Sequence, residues 1–157
     1  MRMADGVYNL RGGRAQALVG RTVLRGAGKF GVSVVQVSVQ GNHIHLLVEA
    51  PDQISLGRAL KGMAVRLARG LNKLMGRAGR VVGDRYHAHL LQTPTEVRHA
   101  IHYIRHNFRK HEAQRGRVLP ASFLDPCSSD GGLSSCVVRA TVWLLGAGRR
   151  GPPPNAL

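Results

Sequence analysis

Apolar and polar residues alternate most regularly between Val32 and Glu49, where the runs "VSVVQVSV" (32–39) and "IHLLVE" (44–49) carry branched aliphatic side chains at nearly every second place. A period of two is that of a β-strand, and Gly41 and Asn42 between the runs suit a hairpin turn, so the pattern predicts an antiparallel pair. From Ser55 to about Arg77 the spacing changes to three and four. Leu56, Leu60, Met63, Leu67, Leu71 and Leu74 then share one helical stripe, with Ser55 as a natural N-cap. A second long helix opens at "TPTEV", with Thr93 as N-cap and Pro94 at its first position. It is expected to run to about Ala113 on a stripe of Val97, Ile101, Ile104 and Phe108. Weaker patterns predict helix over 15–29, a short strand at "VYNL" (7–10) and one or two strands within "RVVGDRYHAHLLQ" (80–92).

The polar positions between these stripes carry the candidate chemistry. In "GNHIHLLVEAPD" (41–52), Ile44, Leu46 and Val48 share one strand face, so His43 and His45 project side by side from the other. They are either ordinary histidines on a wet sheet face or half of a divalent-metal site, since neutral imidazole is a common ligand. On the second long helix, Tyr103 sits roughly 130° from the centre of the apolar stripe at about 100° per residue, aimed away from the core. Asn107, four residues on, is its neighbour along the same side. The bland alternatives are a tyrosine capping the helix packing and a surface amide.

Charge narrows the choice of partner. The 157 residues form one domain by length and hold 23 Lys and Arg against 8 Asp and Glu, a formal charge of +15. Such an excess suits a polyanionic partner, most often nucleic acid. Arg58, Arg66, Arg69, Lys73 and Arg77 fall in a stripe opposite the leucines of the first long helix, almost without acidic residues between them. They form either a solvated face or a phosphate-binding one. No run approaches 18 apolar residues and no secretory signal core stands near the start, so a cytoplasmic, non-membrane protein is expected. Cys127 and Cys136 lie in a Gly/Ser-rich stretch and read as free thiols.

Taken together, "VSVQGNHIHLLVEA", "GDRYHAHLLQTPTEV", "AIHYIRHN" and, more weakly, "ADGVYNL" resemble the single-tyrosine HUH transposases of the insertion-sequence 200 type, and within them the REP-associated tyrosine transposase branch. The likeness covers about residues 30–113. It implies an α+β fold with a ferredoxin-like antiparallel sheet of four or five strands, in a domain over 1–117 followed by a partly disordered tail over 118–157. It also implies a DNA nickase and strand-transfer enzyme acting on single-stranded or hairpin, REP-like DNA as a monomer or homodimer. Tyr103 would be the nucleophile, forming a 5′-phosphotyrosine link. His43, His45 and Asn107 would hold a divalent Mg or Mn ion. Arg58, Lys61, Arg66, Arg69, Lys73, Arg77 and Arg85 would contact nucleic acid. The second His-x-His, His87 and His89, is assigned to a polar sheet face or a phosphate contact. The front of the chain is thin beside the family's pattern, which leaves open a second class: a catalytically inactive DNA-binding protein derived from such a transposase.

Overall fold

The structure, a computed structural model, describes residues 1–83 and 86–141. Helix α1 spans Gly13–Gly26 and a 3-10 turn spans Lys29–Gly31. Strands β1 (Ser33–Val39) and β2 (Ile44–Glu49) follow, then helices α2 (Gln53–Met75) and α3 (Pro94–Gln114) and a 3-10 turn at Ser134–Cys136. The strands pair antiparallel from Ser33 opposite Glu49 to Val39 opposite Ile44, with a register shift between Val34 and Gln36. The hairpin closes through the Gln40 N–H, which donates to the His43 carbonyl at 2.8 Å.

Strand alternation gives this hairpin two faces, each buried by different helices. On one, Val34, Val37, Val39 and Ile44 join Leu67 and Leu71 of α2 and Val19 and Val23 of α1 in one buried cluster. On the other, Val35 and Leu47 pack with Val97, Ile101 and Ile104 of α3. The hairpin therefore lies between the α1–α2 pair and α3. Each fully buried leucine contributes about 1.5–3 kcal/mol through removal from water. Helices α1 and α2 approach closely at two glycines: a Cβ on Gly70 would stand 2.5 Å from Leu18, and one on Gly26 the same distance from Met63.

Helix ends follow their caps. The Asp52 carboxylate accepts from the Ser55 N–H at 2.8 Å and also from its hydroxyl, so the N-cap of α2 is Asp52 and not Ser55, which moves to the first turn. Gly76 ends α2 in the left-handed conformation at φ 60°. Thr93 and Glu96 form a reciprocal capping box at the start of α3. Phe108 leaves the expected α3 stripe: it is only half-buried, stacks on Phe123 and lies 3.5 Å beneath the Arg11 guanidinium.

The sheet expected from the resemblance is not formed. In place of a four- or five-stranded ferredoxin-like sheet, the described residues form a two-stranded sheet with three helices. At 7–10 the Asn9 side chain accepts from the Arg11 N–H and turns the chain before it can extend. At 80–92 the apolar run stops after Val81 and Val82, and the polar "YHAH" that follows offers no alternating face to bury. What remains is single rungs: Arg2 to His43, Met3 to Val82 and Ser38 to Ser128. Residues 118–141 are docked on the body, where the Val39 N–H donates to the Cys127 carbonyl and the Ser129 N–H to that of Val37. Cys127 and Cys136 are buried and unpaired with each other. Trp143 and the rest of the Pro-rich end lie outside the described residues. No helix among the described residues is long and apolar enough to cross a membrane.

Candidate functional site

The polar residues of interest meet where β2 crosses α3, and the meeting follows from matched periods. Two residues along a strand advance about 6.6 Å and four along a helix about 6 Å, so an i, i+2 pair on β2 stays level with an i, i+4 pair on α3. The apolar end of this seam is Leu47 against Ile101 and Ile104. One step along, His45 meets Asn107, whose amide nitrogen stands 2.9 Å from His45 Nε2, and Tyr103, whose ring centroid is 5.3 Å away, edge-on. A further step brings His43, its ring 4.7 Å from that of His45 and 6.3 Å from that of His111. Tyr103, Asn107 and His111 are thus one line along α3, and His43 and His45 one line along β2.

Burial differs along the seam. Asn107 is 3% exposed whereas Tyr103 is 50% exposed, so the amide is enclosed and the phenol reaches solvent. The histidine face is therefore no wet sheet face, because α3 covers part of it. Burial pushes the His45 imidazole down to about 4, with the neighbouring positive groups adding to the effect, and lowers His43 for the same reasons. Both rings are neutral near pH 7, the form that ligates metals. With His45 neutral and Asn107 donating, His45 Nε2 is the acceptor and its proton sits on Nδ1. His43 Nδ1 lies 2.9 Å from the Asn42 side-chain oxygen, so it is the donor there and its Nε2 carries the lone pair.

These donors suit a divalent ion. Two imidazoles and an amide oxygen form a mixed set that fits Mn²⁺ better than Mg²⁺, which prefers oxygen alone. Asn107 would have to turn its amide to present Oδ1 in place of the nitrogen that now faces His45. Among the described residues no three His, Cys, Asp or Glu side chains stand gathered as a metal-ligand set.

The basic residues lie elsewhere. The buried stripe of α2 faces the sheet from the side opposite α3, so Arg58, Lys61, Arg66, Arg69 and Lys73 are turned away from Tyr103. The ion pairs formed among the described residues join Arg11 to Asp125, Arg105 to Asp130, and Glu112 to Arg115 and Arg117, and none involves α2. Arg77 is engaged within the fold, donating to the carbonyls of Gly6 and Arg80. Arg85 lies outside the described residues. His87 and His89 are exposed on irregular chain, away from any strand.

Sequence reasoning passed over His111, although its position was legible: it continues the i, i+4 line of Tyr103 and Asn107 by one more turn. It also passed over the anchoring of α3. Arg109 donates to the carbonyls of Leu119, Pro120, Ala121 and Phe123, which ties the following segment to the helix. Carbonyl acceptors of this kind leave no mark in side-chain patterns. Comparison of the chain with protein-family models, with curated proteins and with solved structures returns no match.

Proposed function

We propose that this chain is a metal-dependent DNA-nicking and strand-transfer enzyme acting on single-stranded or hairpin DNA. The observation that carries the reading is the convergence of His43 and His45 from β2 with Tyr103 and Asn107 from α3, side chains some 60 positions apart that meet at 2.9–5.3 Å. The half-exposed Tyr103 phenol is accessible to a phosphodiester, and its ring is held edge-on to His45. Its oxygen would form a bond to phosphorus as the bond to the 3′-oxygen breaks, releasing a 3′-hydroxyl and leaving a 5′-phosphotyrosine. One phosphoester replaces another, so rejoining by the reverse attack needs no nucleotide triphosphate. The phenol gives up its proton as it attacks, and the leaving 3′-oxygen takes one up. A divalent ion held by His43, His45 and Asn107 would supply Lewis-acid stabilisation of the phosphate oxygens. The α2 stripe, which enters no salt bridge among the described residues, is available to phosphates.

A second reading rests on one contact. The Asn107 amide already occupies the His45 lone pair, and such a satisfied polar pair suits a non-catalytic DNA-binding protein. Cleavage separates the two. A labelled hairpin oligonucleotide with single-stranded flanks, incubated with the protein and Mn²⁺, is expected to yield a strand with a free, polymerase-extendable 3′ end, and none in the presence of a chelator. Retention of the hairpin without any metal-dependent cut favours the binding protein instead.

A further inference from the structure

The basic stripe of α2 faces away from Tyr103, so a strand lying at the seam needs a cation from another part of the chain. Residues 1–3 supply one. The Ile44 N–H donates to the Met1 carbonyl at 2.8 Å and the Met3 N–H to the Asn42 carbonyl at 2.7 Å. These two bonds flank an antiparallel bridge between Arg2 and His43 and make it a non-hydrogen-bonded pair, the kind whose facing side chains stand closest. Their Cβ atoms are then about 4.5–5.5 Å apart on one face.

Burial of the neighbouring residues tells which face that is. Met3 is buried in the cluster of α1 and α2, and so is Ile44, the residue after His43. Strand alternation therefore sends Arg2 and His43 to the opposite side, toward α3. There the His45 ring stands 4.7 Å from that of His43 and 5.3 Å from that of Tyr103. The His43 imidazole is lowered by burial first and then by nearby positive groups, Arg2 among them, which agrees with this placement. Charge points the same way. Arg2 is exposed, and it enters no salt bridge among the described residues. The polar groups that meet at the seam are histidines, a phenol and an amide, none of them an anion to neutralise it. A guanidinium so placed is open to an anionic ligand, and its fork of N–H groups matches two oxygens of one phosphate.

We propose that Arg2 is the phosphate-binding residue of the Tyr103 site, its guanidinium holding the phosphodiester that lies across His43, His45 and Tyr103. This rests on the reading above that the seam acts on DNA. The two cationic surfaces then differ in task. The α2 stripe retains the polyanion on one side of the hairpin, and Arg2 holds the phosphate to be cut on the other.

Inorganic phosphate tests the contact without DNA, metal or turnover. In the purified full chain, at fixed pH and ionic strength, phosphate is expected to give a saturable shift of the His43 ring resonances in proton NMR, assigned by their loss in His43→Ala. Arg2→Ala should weaken that response roughly tenfold or more, the scale of one charge-assisted contact, while circular dichroism confirms that the fold is kept. Arg21→Ala is the control, since it removes the same charge from the exposed side of α1 across the hairpin, and the response should stay as in the parent. With the hairpin oligonucleotide and Mn²⁺, Arg2→Ala should also cut more slowly at saturating DNA, and Arg2→Lys, which restores the charge without the fork, should recover part of the loss. No saturable shift in the parent, or an equal one in Arg2→Ala, would overturn the proposal. An Arg2-dependent shift in a protein that cuts no DNA would uphold the phosphate contact and end the nicking reading. Cutting by Arg2→Ala at the parent's rate would remove Arg2 from the site and leave the nicking reading standing.

Discussion

His45 is where packing and proposed chemistry act on one side chain. The strand period identifies the face it occupies and the helix period sets Tyr103 and Asn107 on one side of α3, but that the two would meet was expected only from the family resemblance. What spacing does not show is enclosure: Asn107 reads as a surface amide because nothing in a helical wheel reveals that the neighbouring strand face is polar too. Enclosure changes the expected cost of substitution. His45→Ala removes the hydrogen bond from a buried amide, a loss of about 1–3 kcal/mol, and also a proposed metal ligand. The variant is expected to unfold at lower denaturant, to lose cleavage, and to bind the hairpin within a few-fold of the parent. Gel-shift and cleavage assays on one preparation measure both. Loss of hairpin binding in parallel with cleavage would mean that His45 acts by holding the fold and not by chemistry.

At the scale of elements, α3 carries the site and its capping box fixes where it starts. The Thr93–Glu96 signature was readable because local side chain-to-backbone bonds depend on neighbours a few residues apart. The N-cap of α2 was displaced from Ser55 to Asp52 because two good capping residues stand three apart and only geometry chooses between them. Thr93→Ala is expected to cost about 1 kcal/mol, measured by chemical denaturation. The caps also set an acid dependence. The Asp52 carboxyl is held below its ordinary range by bonds from the Ser55 N–H and hydroxyl, and Glu96 by the N–H groups of Gln92 and Thr93. As pH falls, the unfolded chain, with carboxyls near 4, takes up these protons first. The contribution of the caps is therefore complete above that value and is lost as pH drops through the lower folded values. An Asp52→Asn, Glu96→Gln double variant should show a shallower fall in denaturation midpoint between about pH 5 and pH 3. An unchanged acid limb would assign acid sensitivity to other carboxylates.

Across the whole molecule, the hairpin divides two surfaces: the seam with Tyr103 on one side and the basic stripe of α2 on the other. Charge composition predicted a polyanion partner, and the periodicity of α2 predicted the stripe, yet neither could say which side of the sheet it would occupy. The extent of the sheet was also beyond the sequence. Segment 127–129 joins it by two backbone bonds, to Val37 and Val39, while 80–83 bonds only to Arg2 and Ala4, and such bonds depend on distant chain and not on local alternation. The separation of surfaces has a kinetic consequence. Replacing Arg58, Arg66, Arg69 and Lys73 with Ala should reduce the slope of log K against log salt by about 0.7–0.9 for each phosphate no longer neutralised. Cleavage at saturating DNA should stay near the parent's rate, because these residues face away from Tyr103. An unchanged salt slope with the fold intact would make the stripe an ordinary solvated face.

The central claim, that Tyr103 is a nucleophile toward DNA, is tested most directly by the covalent intermediate it would leave. The protein is incubated with Mn²⁺ and a hairpin oligonucleotide, denatured and digested, and the DNA-linked peptide is identified by mass spectrometry. The account predicts a link on the peptide containing Tyr103, stable to denaturation, and none in Tyr103→Phe, which keeps the ring and removes only the oxygen. A link that persists in Tyr103→Phe, or that maps to another residue, would contradict it.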